Sequence, residues 1–145
     1  MWTYEHSFET RAGAETIFDI LRDVSRWPEW NAGVERIELD GRFETGTKGV
    51  MVLPDQGSLS FRLASVVEGL GFEDETEIPG AGVVVRVRHW LEPLPGGGTR
   101  ITYRATVEGP AASTVGPEIG PAVTADFPEV MAALAARAEA GLATA

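Results

Sequence analysis

The chain has no cysteine and few basic residues. Without cysteine it has no disulfides, no thiolate catalysis and no cysteine-ligated metal, which fits a reducing compartment. Its 12 basic residues stand against 22 acidic ones, which gives a net charge of −10. Because such a surface repels a phosphate backbone, we expect no nucleic-acid partner.

Long apolar runs are also absent. No stretch approaches the ~18 apolar residues of a membrane span, and the N-terminal segment MWTYEHSFETR lacks the basic start and the apolar run of a secretory signal peptide. We therefore expect a cytoplasmic protein without a membrane span. The length of 145 residues, without an internal repeat or a low-complexity linker, predicts a single domain over residues 1–145.

The first residues of the chain alternate in the manner of a half-buried strand. The apolar face of this strand carries Trp2, Tyr4, His6 and Phe8. From Ala14 the apolar spacing changes to three and four, which predicts a short amphipathic helix. In the segment VSRWPEWN that follows, Pro28 is placed to start a second short helix.

Six further strand-like runs follow, and a helical pattern ends the chain. The runs cover residues 34–40, 48–53, 58–67, 71–78, 83–93 and 99–108. Their short connections predict antiparallel neighbours. The helical pattern runs from about Pro117 to Ala140, and Pro128 within it predicts a kink near Phe127.

Charge pairs suggest a register for the hairpin that turns at Gly80. In this register Glu75 lies opposite Arg86 and Glu73 opposite Arg88, which places two opposite-charge pairs on the outer face. The connection before residues 58–67 offers no such pairs. There we match apolar residues, Met51 with Phe61 and Leu53 with Leu59.

The same reasoning brings polar groups together on the inner, apolar face. Phe72 falls opposite His89, Asp74 becomes a diagonal neighbour of His89, and the next hairpin places His89 opposite Tyr103. Three polar side chains would therefore converge in apolar surroundings, which is typical of a ligand site.

The order of these elements, together with the segments VSRWPEWN, VRHWLEPLPGGGTRITYRATVEGP and FPEVMAALAARAE, resembles one superfamily over the whole chain. This is the START and birch-pollen-allergen-like superfamily, and within it the small bacterial polyketide cyclase/dehydrase and lipid-transport-like proteins. The resemblance implies an α+β helix-grip fold. In that fold a curved, seven-stranded antiparallel sheet wraps a long C-terminal helix, two short helices follow the first strand, and a cavity lies between sheet and helix. It also places the first strand beside the last, with His6 near Tyr103.

The candidate catalytic residues are His89, Tyr103 and Asp74. An imidazole that titrates near neutrality, oriented by a carboxylate and next to a phenol that donates to a carbonyl oxygen, suits aldol cyclisation and dehydration. The same groups could equally orient a bound molecule without reacting with it. A histidine on an apolar face is most often a hydrogen-bonded core residue.

We expect the ligand to contact aromatic, aliphatic and polar side chains of the inner face and of the last helix. These are Tyr4, His6, Phe61, Leu63, Phe72, Asp74, His89, Tyr103, Phe127 and Met131. For Trp27 and Trp30, packing in the core is favoured over ligand contact. No local ligand spacing supports a metal site, and no cofactor is implied.

Three functions remain open at this stage. We favour the binding of a small, largely apolar, lipid- or polyketide-like molecule. A cyclase or dehydratase that uses the same His, Tyr and Asp side chains is the first alternative. The second is a protein-interaction module, which should expose a contiguous apolar patch. The outward-facing Trp90 hints at such a patch, and a homodimer contact would also explain it.

Overall fold

The computed structural model describes residues 1–54 and 57–143. Its strands are β1 (Trp2–Thr10), β2 (Arg36–Leu39), β3 (Lys48–Leu53), β4 (Gly57–Val67), β5 (Gly71–Ile78), β6 (Val83–Pro93) and β7 (Thr99–Glu108). Its helices are α1 (Ala14–Arg22), a short 3₁₀ helix (Val24–Glu29), α2 (Ala112–Thr124) and α3 (Phe127–Ala143).

The seven strands form one antiparallel sheet in the order β1-β7-β6-β5-β4-β3-β2. β1 lies beside β7, so His6 is paired with Tyr103 as the resemblance implied. A bulge interrupts the β4–β5 ladder between Leu63 and Ser65, and such bulges increase the local twist of a sheet. The predicted α+β fold, with a seven-stranded antiparallel sheet and a long C-terminal helix, is confirmed.

The predicted register of β5, β6 and β7 is also confirmed. Glu75 lies opposite Arg86, and Glu73 opposite Arg88. The guanidinium of Arg86 bridges two strands, with 3.0 Å to Glu75 and 2.7 Å to Glu108. Each such surface pair contributes only about 0–1 kcal/mol, but a one-residue slip would place these charges on the apolar face.

The predicted register of β3 and β4 is wrong by two residues. Met51 pairs with Leu59, and Phe61 pairs with Gly49. The ring of Phe61 lies over this glycine so closely that a Cβ there would be 2.5 Å from its Cζ atom. A side chain at position 49 would therefore displace the ring, which is why the aromatic residue pairs with a glycine. Because the error is two residues, it leaves every side chain on its predicted face.

The helical segment at the end of the chain is two helices instead of one kinked helix. The first helix begins at Ala112, earlier than the predicted Pro117, and ends at Thr124. The second begins at Phe127, so Pro128 is its second residue. A proline in the first turn of a helix removes no hydrogen bond, because the backbone donors there have no partner within the helix. Pro128 therefore lies at a helix start and not inside a bent helix.

One half of the interior is packed with side chains. Ile17, Phe18 and Leu21 of α1 are buried against Met131 and Leu134 of α3, all within one apolar cluster. At roughly 25 cal/mol per Å² of apolar surface, a cluster of this kind provides most of the folding free energy. The other half of the sheet, under α2 and the start of α3, encloses a cavity.

The Trp-Pro segment packs between these two halves. Trp27 is buried, and its indole Nε1 donates a hydrogen bond of 3.0 Å to the carbonyl oxygen of Leu21. Its ring lies 5.9 Å from that of Phe72 and 6.2 Å from that of the half-buried Trp30. Both tryptophans therefore contribute to packing, and whether either also contacts a ligand stays a prediction.

Candidate functional site

The cavity between the sheet and the C-terminal helices has a volume of about 690 Å³. On the sheet side its apolar lining comes mainly from β3 to β6, namely Met51, Leu53, Leu59, Ile78, Val85 and Val87. On the helix side the apolar lining comes from Ile119, Ala122, Val123, Phe127 and Val130. Trp27 closes one end. Strand alternation turns these sheet residues inward, because every second side chain faces the same way.

The polar groups of the cavity lie in two neighbouring rows across the sheet. Antiparallel pairing aligns Phe72, His89, Tyr103 and His6 in one row. The ring of His89 stacks on Phe72 at 4.0 Å and meets the edge of Tyr103 at 4.4 Å. Asp74 belongs to the next row, and its Oδ2 lies 3.8 Å from Nε2 of His89. The predicted convergence of Asp74, His89 and Tyr103 is therefore present.

His89 is uncharged at neutral pH. Only 8% of the residue is exposed, and within the described part of the chain its Nδ1 atom has no hydrogen-bond partner. Burial opposes the imidazolium and lowers the pKa of His89 from 6.5 to about 3, although the backbone groups of Phe72 and Val87 act weakly in the opposite direction. The neutral imidazole therefore carries one donor and one acceptor, without a charge.

The pKa of Asp74 is shifted in the opposite direction from that of His89. Burial, with a smaller contribution from the adjacent Glu73, raises the pKa of Asp74 from 3.8 to about 7. The sequence pattern suggests an imidazole that titrates near neutrality. In the structure the carboxyl group does so, because both groups lie in apolar surroundings that favour their neutral forms. The pKa of Tyr103 is also raised, first by burial and then by the carboxyls of Asp74 and Asp126.

The structure divides the expected ligand contacts into two groups. Asp74, His89, Tyr103 and Phe127 line the cavity. The other six lie elsewhere in the described structure: Tyr4 beside Trp2 and Phe127, His6 half-buried on β1, Phe61 over Gly49, and Leu63, Phe72 and Met131 in the packed core. The residues of the second group lie outside the cavity lining. Whether any of the ten contacts a ligand stays a prediction.

The sequence analysis missed several lining residues. Thr76 and Val85 continue the inward alternation that places Asp74 and His89, so the signal for them was present. Glu118 lies within the predicted helical pattern, next to Pro117 of α2, but nothing in the sequence indicated that this charged residue borders the cavity. Asp126 lies between two helices, where no periodicity applies.

The part of the chain that the structure describes supports neither a metal site nor a membrane-spanning helix. No group of three or more His, Asp or Glu side chains is placed to hold a metal ion there. No helix in that part is both long and apolar enough to cross a membrane.

Solved structures of the same fold differ widely from this chain in sequence. The di-domain ARO/CYC StfQ from the steffimycin biosynthetic pathway has a TM-score of 0.79 at 13% identity, over 97% of this chain and 51% of StfQ. A START superfamily protein of Mycobacterium smegmatis has a TM-score of 0.71 at 18% identity, over 94% of this chain and 97% of that protein. Truncated norcoclaurine synthase of Thalictrum flavum has a TM-score of 0.72 at 16% identity, over 92% of this chain and 90% of that protein. At these identities the likeness shows the fold alone.

Sequence comparison is more specific about the family. No curated protein matches the chain. The family described as "Polyketide cyclase / dehydrase and lipid transport" matches residues 1–139, which is nearly the whole chain. Together with the cavity under the C-terminal helices, this match shows that the chain belongs to the polyketide cyclase/dehydrase and lipid transport family.

Proposed function

We propose that this protein binds a small, largely apolar molecule in the cavity between its sheet and its C-terminal helices. The cavity itself carries the proposal. Its volume of about 690 Å³ lies within the range of roughly 300–1,000 Å³ that is typical of small-molecule sites. Its lining is mostly aliphatic and aromatic, with a few convergent polar groups that would fix the orientation of a ligand.

Proteins of the same fold support this proposal. Norcoclaurine synthase of Thalictrum flavum is described in complex with dopamine and hydroxybenzaldehyde. StfQ takes part in the steffimycin biosynthetic pathway. Both deal with small organic molecules, and the family description also includes lipid transport.

Filling the cavity should prevent binding. Val87 lies on β6 and lines the cavity, opposite Asp74 and Ala105. In a Val87→Trp variant, the larger ring would occupy the space that a ligand needs, so we expect the affinity for decanol to fall at least about tenfold, equivalent to 1.4 kcal/mol. Isothermal titration calorimetry measures this change.

Val84→Trp is the matched control. Val84 lies on the same strand with the opposite parity, opposite Glu77 and Glu108, and outside the cavity lining. Its substitution should leave decanol binding as in the wild type. Equal binding by both variants would show that decanol binds elsewhere, and no binding by the wild type would contradict the proposal.

A dehydratase or cyclase is the second candidate, and the titration of Asp74 near pH 7 favours it. A carboxylate with such a pKa is suited to remove the α proton of a β-hydroxyketone. A C=C bond would then form as the C–O bond breaks, and the hydroxyl group would leave as water after accepting a proton. Protonated Asp74 can return this proton to the leaving hydroxyl, while Tyr103, whose raised pKa keeps its phenol protonated, donates a hydrogen bond to the ketone oxygen.

The test of this candidate is the absorbance of the conjugated enone formed from an aromatic β-hydroxyketone. The wild type should form it, and Tyr103→Phe and Asp74→Asn should slow its formation at least about a hundredfold, in line with the usual contribution of general acid–base groups. Full activity in both variants would exclude these roles.

The protein-interaction alternative has less support. Within the described residues, the exposed large hydrophobics are Met1, Val50, Val67 and Leu70, of which only the last two are neighbours, in the turn between β4 and β5. The guanidinium of Arg88 covers the ring of Trp90 at 4.2 Å. The homodimer stays a prediction.

A further inference from the structure

The charged side chains around the cavity are all acidic. Asp74 lies on the sheet side, Glu118 on α2, and Asp126 between α2 and α3. Among the described residues that line the cavity there is no lysine or arginine. The basic residues of the adjacent strands face away: Arg86 and Arg88 lie on the outer face, where the first pairs with Glu75 and Glu108. The field inside the cavity is therefore negative and is not offset by a neighbouring cation.

Two of these carboxyls lie close enough to Tyr103 to affect its titration. Asp74 and Asp126 both raise the pKa of its phenol by their charge, so both lie within electrostatic reach of it. Asp126 is also close to the turn after the 3₁₀ helix, since a Cβ at Gly33 would be 2.6 Å from its Oδ2 atom. Half-burial and the nearby Glu129 raise the pKa of Asp126. A positive charge near Tyr103 would stabilise both carboxylates at once.

His89 points independently to a polar ligand. It is more than nine-tenths buried, it lines the cavity, and its Nδ1 atom lacks a hydrogen-bond partner in the described structure. A buried polar atom without a partner costs about 1–3 kcal/mol, and a hydrogen-bonding ligand could remove this cost if the imidazole turned toward it, because Nδ1 itself is covered by protein atoms. The rings of Trp27, Tyr103 and Phe127 also face the cavity, and aromatic faces attract cations.

We propose that the cavity selects an organic cation, namely an amine on an apolar skeleton, and excludes carboxylates. This inference rests on the proposed binding function and adds the charge of the ligand to it. An ammonium group would bind between Asp74 and Asp126, with its apolar part along the aliphatic walls. A carboxylate in the same position would be a further buried negative charge without a counterion, which is strongly unfavourable.

Three probes with one skeleton test the proposal: decylamine, decanol and decanoate, each titrated calorimetrically at about pH 7. We expect decylamine to bind at least about tenfold more tightly than decanol, which is 1.4 kcal/mol, and decanoate to bind more weakly than decanol. Equal affinities, or tightest binding of decanoate, would overturn the selectivity but leave the binding function intact. Failure of all three to bind would overturn both.

Variants of two kinds test whether the preference for the amine arises inside the cavity. Asp126→Asn should reduce the ratio of decylamine to decanol affinity at least about threefold. Glu5→Gln removes an exposed charge of the same sign from β1, outside the cavity lining, and should leave this ratio unchanged. Val87→Trp should abolish decylamine binding. If it does not, the amine merely adsorbs to the acidic surface, and the proposal is wrong.

Discussion

Replacement of Asp74 by asparagine should stabilise the folded protein by roughly 4 kcal/mol more at about pH 8 than at about pH 4. The pKa of Asp74 is about 7 in the folded protein and 3.8 in the unfolded chain, and each unit of such a difference corresponds to about 1.36 kcal/mol. The folded state favours the protonated acid. Its contribution to stability is therefore fully present below pH 3.8 and is lost as the pH rises to 7. Asparagine cannot ionise, so the variant avoids this loss.

Urea unfolding of the two proteins across this pH range measures the effect. Glu77→Gln is the matched control, because Glu77 is an exposed residue of the same strand, and its replacement should change stability little at either pH. An Asp74→Asn variant whose effect on stability is the same at both pH values would show that this carboxyl is not desolvated in the folded protein.

The titration of His89 changes the stability of the folded protein with pH in the opposite direction. Its pKa is depressed from 6.5 to about 3, so its contribution to stability is present above pH 6.5 and is lost as the pH falls toward 3. In the wild type this loss opposes the gain from Asp74 between about pH 4 and pH 6.5. In Asp74→Asn only the His89 effect remains of this pair, so the stability of the variant itself should increase between about pH 4 and pH 6.5.

Truncation of Phe72 to alanine should destabilise the protein by about 3–5 kcal/mol, the usual cost of removing a buried phenylalanine ring. Phe72 is 1% exposed. Its ring contacts those of Phe43 at 5.1 Å, Trp27 at 5.9 Å and His89 at 4.0 Å. It therefore joins the packed half of the interior to the cavity, and the surrounding rings cannot all move into the space that it leaves.

The same variant should change the titration of His89. Removal of the stacked ring would admit water to the imidazole, and the pKa of His89 would rise from about 3 toward 6.5. NMR titration of the imidazole resonances would detect this shift. Phe8→Ala is a useful comparison, because Phe8 is half-buried on β1 and is paired with Ile101 away from His89. It should cost less stability and leave the His89 titration unchanged. A stable Phe72→Ala protein with an unshifted histidine would contradict this account.

Charge and alternation made most of the sheet predictable. Glu75 and Arg86 fix the β5–β6 register because any other alignment separates them, and that register then places His89 opposite Tyr103. β3 and β4 carry no such pair, so apolar matching could not distinguish the observed partner of Met51 from a residue two positions away. A periodic pattern thus predicts the face of a strand residue more firmly than its partner.

The position and the chemistry of the cavity were less predictable, since both depend on three-dimensional packing. Leu63 and Asp74 are paired, yet only Asp74 borders the cavity, and nothing in their spacing distinguishes them. The side chains of α1 and α3 fill one half of the interior and leave the other half open. The pKa values follow from this burial, which is why the sequence alone suggested a titrating imidazole instead of a titrating carboxyl.

The central claim is that a small apolar molecule binds between the sheet and the C-terminal helices. Methyl NMR of the protein during titration with decanol tests it most directly. We predict large shifts for the cavity methyl groups of Val85, Val87, Ile119 and Val123, and small ones for the packed core at Leu134. Shifts confined to exposed methyl groups such as those of Val50, or no shifts at saturating decanol, would contradict the account.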